Sequence, residues 1–413
     1  MAARRGVLVL ALLLAVALAA AGWAWWLSTR PGEFGVAQRE GPPALVQHGG
    51  EASVWLMVQL EERHSFAGQR YGTRYHLELR SYDSRSGTRQ WSRRLRSIGE
   101  HEGGHGARGR ILGQQGDAVW LFVADQPVLV AAADGALRGT GLDIAAKNPA
   151  LAAQLVGELD HHLFDDGLVI LAADARRYRI ALPGFAAQAW QPASDEALRR
   201  LQFMASGWNG AYRSSEFLIP AARMPSGWLG LYTAAEAAEA GRDEFGSQLA
   251  DPWRAWRDDT SARRSLYSAT IGRTRAFSEG AHDRLVEPTR LPASPEFLQG
   301  GFLRTAGQRQ PLVIEGSSLL VLHRTRTDAA GRLQLTRLLQ EEPASARVQW
   351  QAALPFGELH NRWQLPDRLV MVGSTESGPA GRTQHTEQLA IVELASGRVR
   401  AWNLTLDMLL QVR

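Results

Sequence analysis

The chain has 413 residues, of which 45% are hydrophobic and 21% charged, enough for one large domain or two to three ordinary ones and too apolar for wholesale disorder. Forty-six basic against 42 acidic side chains leave a net charge of +4, an excess too small to point to nucleic acid as a partner. The absence of cysteine excludes disulfides, a thiolate zinc site, a cysteine nucleophile and a lipidated N-terminal cysteine.

Arg4 and Arg5 precede an uncharged run from Gly6 to Leu27. As a helix this run spans about 33 Å, against a hydrocarbon core of about 30 Å. The arginines favour a cytoplasmic N-terminus, and Trp23, Trp25 and Trp26 stand where aromatic rings favour the far interface. The pattern predicts a cytoplasmic tail at 1–5 and a single-pass transmembrane anchor at 6–27 in a bacterial inner membrane. The bulk of the chain then lies in the periplasm. A cleaved signal peptide, with Ala19 and Ala21 before the cut, is the competing reading; its apolar region is usually about 7–15 residues, shorter than this run. Residues 28–47, with Gly32, Gly35, Gly41, Pro42 and Pro43, read as a linker, and 48–413 as one exported domain.

Beyond the linker the texture is short apolar runs closed by Gly, Asp or Pro, among them Ser53–Leu60, Tyr75–Tyr82, Ala118–Ala124, Leu168–Ala173, Leu319–His323 and Gln388–Leu394. Tyr75–Tyr82 alternates with period two, which favours strand. Asp134-Gly135 and Asp174-Ala175-Arg176 read as hairpin turns. Helices are few and short. Asn148-Pro149 predicts an N-cap and first helical residue, with Leu151, Leu155, Val156 and Leu159 on one stripe. Ser194 begins a second helix running past Met204, and Thr233 with Glu236 has capping-box spacing before a third that ends at Gly241. Their irregular spacing excludes a regular βαβ chain.

A repeat emerges when the turns are stacked. Asp83, Gly87 and Trp91 stand four residues apart; Glu342, Ala346 and Trp350 repeat the spacing; Glu393, Gly397 and Trp402 repeat it with one extra residue. A weaker copy leads from Leu182-Pro183-Gly184 to Trp190 without the acid. The glycine suits a positive-φ turn and the tryptophan the space between neighbouring sheets, so Trp91, Trp350 and Trp402 are expected to be buried.

This strand, small turn, glycine and tryptophan resemble the blade motif of quinoprotein-type (PQQ-like) β-propellers. The resemblance covers residues 48–135 and 310–405, leaving 192–300 divergent. An anchor followed by such a domain is similar to exported proteins of proteobacteria. The resemblance implies a mostly β fold of about seven four-stranded blades with a few inserted helices, Leu404–Val412 being available to close the ring.

Three motifs carry possible chemistry. His101-Glu102-Gly103-Gly104-His105 matches the zincin pattern, but that chemistry needs a helix, and the glycines here favour a loop. Gly104, Gly106 and Gly109 match a dinucleotide fingerprint, yet an apparent strand follows where a helix is required. Asp160, His161 and His162 with Asp165 and Asp166 offer oxygen and imidazole ligands, or else a helix end and an acidic turn. No Ser–His–acid triad is recognisable, and no catalytic, cofactor-binding or metal-binding residue is assigned. Trp253, Trp256 and their arginines, and Tyr71 between Arg70 and Arg74, read as packing of arginine on aromatic rings.

These features predict a binding or scaffold module, held at the inner membrane by 6–27 and partnered by an envelope protein. The Arg- and Trp-containing stretch 192–300 supplies residue types enriched at interaction hot spots. The competing class is a quinone-dependent periplasmic oxidoreductase. The adjacent cysteine pair that alcohol dehydrogenases of that class carry at the cofactor is missing here, which weakens this reading.

Overall fold

The alternating apolar runs become antiparallel strands in the computed structural model. It describes residues 33–405 apart from 36, 67–68, 100–107, 156, 206–212, 215, 219–226, 241–261, 277–279, 293, 305–310, 316–317, 327–330, 343–344 and 378–383. The expected anchor at 6–27 lies outside the described residues, and no described helix is long and apolar enough to cross a membrane.

The strands group in chain order. Sheet one holds β1 (Glu33–Phe34), β2 (Gln38–His48), β3 (Glu51–Phe66), β4 (Gln69–Asp83) and β5 (Arg89–Gly99), with β1 and β2 sharing one edge of β3. Sheet two is β6 (Gly109–Gln115), β7 (Ala118–Val123), β8 (Gln126–Ala131) and β9 (Leu137–Thr140); sheet three is β10 (His162–Phe164), β11 (Leu168–Leu171), β12 (Arg177–Ala181) and β13 (Ala186–Ala189). After the two-residue β14 (Arg213–Ser214), sheet four comprises β15 (Glu216–Leu218), β16 (Gly227–Tyr232), β17 (Arg263–Ala276) and β18 (Gly280–Arg290). Sheet five is built from β19 (Phe297–Leu303), the short β20 (Val313–Ile314), β21 (Ser318–Arg324), β22 (Leu333–Glu342) and β23 (Ser345–Ala353), and β14 pairs with β19. Two residue pairs, Arg263 with Leu298 and Arg264 with Phe297, link sheets four and five. Sheet six is β24 (Glu358–Gln364), β25 (Arg368–Ser377), β26 (Gln384–Glu393) and β27 (Val399–Asn403).

Among the described residues the fold is thus mostly β, in antiparallel sheets of which several are four strands deep, sheets four and five being joined into one ten-stranded sheet. The expected linker is corrected: Gln38–His48 is the first long strand of sheet one. Gly41, Pro42 and Pro43 fall at a register shift between Glu40 and Ala44, where a proline without an N–H is tolerated on an edge strand. Of Leu404–Val412, residues 406–412 lie outside the described set.

The helices are α1 (Gly141–Lys147), α2 (Pro149–Ala152), α3 (Asp195–Ala205) and α4 (Ala234–Ala240). Asn148 occupies the N-cap position of α2 with Pro149 first, as expected, but its side chain bonds Ile144, Phe185 and Ala187 rather than the helix start. The helix stops at Ala152, however, and the Gln154 carbonyl accepts the Ala173 N–H instead of continuing it. Leu155 and Leu159 therefore share no helix with Leu151. The capping box before α4 forms in full, the Thr233 N–H donating to Glu236 and the Glu236 N–H to Thr233 Oγ1 at 2.8 and 3.2 Å.

Because strand side chains alternate, a strand covered on both faces buries consecutive residues. Val54, Leu56 and Val58 of β3 pack against Val370, Val372 and Leu389 of sheet six, whereas Trp55 and Met57 pack against Val119 and Leu121 of sheet two. Similar layers join sheet two to three (Trp120 with Leu168 and Ile170), four to five (Leu229 and Leu231 with Phe302 and Val321) and five to six (Leu320 and Leu322 with Leu369 and Met371). The last sheet thereby returns onto the first.

The repeated turn makes these seams alike. The N–H of Gly87 donates to Asp83 O, that of Gly135 to Ala131 O and that of Gly397 to Glu393 O, at 2.8, 2.9 and 2.8 Å, with φ of 71°, 67° and 72° at the glycines. Each tryptophan of the repeat sits on the turn glycine of the following sheet: Trp91 on Gly135, Trp350 on Gly397, and Trp402 of the last sheet on Gly87 of the first. Cations reinforce two of these joints. Arg337 and the Trp350 indole both donate to Leu394 O, at 2.6 and 2.9 Å, and Arg368 donates to the equivalent Ser84 O at 3.0 Å. Trp91, Trp350 and Trp402 are half-buried rather than fully buried, since each covers a turn at the rim of its neighbour.

The seam between sheets two and three inverts the arrangement. Residue 139, four beyond the turn glycine like Trp91, is itself glycine, and Phe185, at the turn position with φ 59°, lays its ring against it. The Phe185 ring also meets Trp120 edge-on, with centroids 6.1 Å apart. This exchange of partners accounts for the weak copy at 182–190.

Candidate functional site

Two groups of polar side chains stand out once the sheets are placed. The first lines a cavity of about 290 Å³ where sheet six closes on sheet one. Arg85 enters from the turn after β4, Asp367 and Arg368 from the start of β25, Glu393 from the end of β26, and Arg398 and Arg400 from the turn and strand that follow. Arg368 is committed to structure: it donates to Asp367 at 2.7 Å and to the Ser84 carbonyl and hydroxyl at 3.0 and 3.1 Å. Arg398 is committed to Glu393 at 3.2 and 3.3 Å. The Ser396 hydroxyl and Arg398 together hold the Glu393 carboxyl below its ordinary value. Arg85 and Arg400 are exposed, and among the described residues neither guanidinium is hydrogen-bonded. The cavity therefore presents two uncommitted planar cations, suited to a carboxylate or phosphate.

The second group crosses three adjacent strands of sheet one. His76 on β4 lies in register with Ser97 on β5, and its Nδ1 is 2.7 Å from Ser97 Oγ. Its Nε2 is 2.8 Å from an oxygen of Glu62 on β3, and His64 lies 3.6 Å from the other oxygen. His76 and Glu62 are buried at 2% and 8% exposure, whereas Ser97 is exposed. Burial is the largest influence on His76, lowering its pKa below 6.5 against the opposing effect of the hydrogen bond it makes to Glu62. The sequence reading found no such triad, because residues 62, 76 and 97 meet only through strand register.

The sequence motifs fare differently. His101, Glu102, His105 and most of the glycine fingerprint lie outside the described residues, but the fingerprint's last residue, Gly109, opens strand β6 rather than a helix. Trp253 and Trp256 also lie outside them. The 160–166 cluster disperses. His162 is buried against Phe122 with Nδ1 on the Glu158 carbonyl at 2.9 Å, and Asp165 is taken by Arg179 and by the Trp190 indole. No three His, Asp or Glu side chains among the described residues are placed to hold a metal ion.

No family model matches the chain, and no curated protein does. Among solved structures, the chain is similar to two proteins provisionally described as 6-phosphogluconolactonases. The one from Bacteroides uniformis ATCC 8492 is 10% identical, with TM-score 0.22 over 89% of this chain and 94% of that one. The one from Bacteroides fragilis NCTC 9343 is 9% identical, with TM-score 0.20 over 89% and 93%. Extracellular domains 1–2 of Drosophila Semaphorin 1b follow at 11% identity and TM-score 0.19, over 74% and 53%. Superpositions this loose establish neither fold nor function.

Proposed function

We propose that the protein is a β-propeller held at the bacterial inner membrane by residues 6–27, acting in the periplasm as a binding module for an acidic envelope protein. Sheets one to three and sheets four to six pack face to face, and sheet six returns onto sheet one with Trp402 on Gly87, which supports the propeller. Register shifts in the first long strands β2, β6, β19 and β24 suit strands that bend where blades converge. The PQQ-like kinship of the repeat belongs to the same proposal.

The observation that carries the binding role is the pair of uncommitted arginines, Arg85 and Arg400, in the closure cavity. A carboxylate placed between them gains charge-assisted hydrogen bonds without breaking the pairs of Arg368 and Arg398. The test is in-cell cross-linking of the full-length protein beside its Arg85→Glu/Arg400→Glu variant. The wild type is expected to capture one envelope protein that the variant loses, with both pelleting after alkaline carbonate. Equal capture by the variant defeats the recognition site, and release of the wild type into the carbonate supernatant defeats the anchor.

A further inference from the structure

We propose that Ser97 is a base-activated nucleophile, and that the surface of sheet one around it is an acyl-transfer site for esters bearing an acidic group. This goes beyond the binding role and does not depend on it. The proton inventory follows from the partners. An ionised Glu62 only accepts, so the His76 nitrogen facing it, Nε2, carries the proton. Burial disfavours the charged ring, so Nδ1 carries the lone pair to which the Ser97 hydroxyl donates at 2.7 Å. Nucleophile, base and orienting carboxylate thus stand in hydrogen-bond sequence, the arrangement that activates a serine. Burial is divided in the same sense: base and carboxylate are shielded, and Ser97 is open to solvent.

The groups facing His76 are Glu62 with His64 beyond it on β3, Arg74 on β4, and Ser97 and Arg94 on β5. Arg74 and Arg94 both act on His76 electrostatically, and both are exposed. Arg94 also pairs with Glu78 at 3.4 Å, which leaves Arg74 as the cation available to a developing oxyanion and Arg94, shared with Glu78, to an acidic substituent of the substrate. In the first step Ser97 Oγ bonds to the ester carbonyl carbon as its proton moves to His76 Nδ1. The bond to the leaving alcohol then breaks, and the alcohol departs with that proton. Water repeats the sequence on the acyl-serine, releasing the acid and restoring Ser97, so that ester and water yield acid and alcohol. Glu62 carries the transient imidazolium through Nε2.

The test uses the purified full-length protein and a biotinylated fluorophosphonate, located by peptide mass spectrometry. Ser97 should be labelled at least about a hundredfold faster than Ser92, an exposed serine on the same strand that pairs with Arg80 instead of a histidine. The rate should rise as His76 loses its proton below pH 6.5 and then stay flat, and Glu62→Gln should slow it at least about tenfold. Hydrolysis of mono-4-nitrophenyl succinate should fall at least about tenfold in Ser97→Ala, whose substitution is on the surface. Labelling of Ser97 at the Ser92 rate, an unchanged rate in Glu62→Gln, or hydrolysis equal to that of Ser97→Ala would each overturn the proposal.

Discussion

Replacing Gly397 with alanine tests the seam directly. The residue has φ 72°, a conformation that costs an L-residue about 1–2 kcal/mol. A β-carbon there would also lie 2.6 Å from Trp350 Cδ2 and 2.7 Å from Cε3, well inside ordinary contact. Trp350 cannot swing away freely, because its indole N–H is bonded to Leu394 O at 2.9 Å. Overpacking of this kind costs about 1–3 kcal/mol, so the total expected loss is about 2–5 kcal/mol. Gly116 is the control: its φ is 61°, but a β-carbon there would meet nothing within 4 Å, so Gly116→Ala should lose only the backbone cost of about 1–2 kcal/mol. Denaturant unfolding of the full-length protein, followed by far-ultraviolet circular dichroism, measures both. In a Trp350→Ala background, Gly397→Ala should cost no more than Gly116→Ala does. Equal losses for the two glycines, or a Gly397→Ala cost that persists without Trp350, would refute the seam.

Two further outcomes follow from the packing. His162 is buried and its pKa is pushed down to about 4, so the unfolded chain binds the extra proton between that value and 6.5. Stability from this residue is complete above pH about 6.5 and falls by up to about 1.4 kcal/mol per unit as pH drops toward 4; His162→Leu should remove that slope from a series of denaturant midpoints. Asp83→Ala removes the acceptor of the Arg85 and Ser86 N–H groups and the Ser86 hydroxyl and should cost about 1–3 kcal/mol, while the exposed Asp134→Ala should cost less in the same assay.

What was legible in the sequence was local. The period-two runs, the helix start at Asn148-Pro149, the Thr233–Glu236 box and the positive-φ glycines at 87 and 397 each depend on residues close together in the chain, and each stands where expected. What escaped depends on distant partners. Gly41-Pro42-Pro43 has the composition of a tether, and only pairing with β3 makes it a bulged strand. Phe185 replaces a missing tryptophan from the neighbouring sheet, so no stacking of turns reveals it. The Glu62–His76–Ser97 row needs the register of three strands, and the arginine cavity needs residues 85 and 400 brought together by the closure of the last sheet onto the first.

That closure is the central claim, and the absence of native cysteine makes it directly measurable. Arg39 Nε and Glu387 Oε1 meet at 2.6 Å between the first and last sheets. Cysteines at positions 39 and 387 of the full-length protein should be joined rapidly by a short bis-methanethiosulfonate reagent, giving a looped species that migrates anomalously on denaturing gels. A control pair at 39 and the exposed Asp174 of sheet three should not be joined. Linkage of 39 to 387 no faster than of 39 to 174 would contradict the closure of sheet six on sheet one.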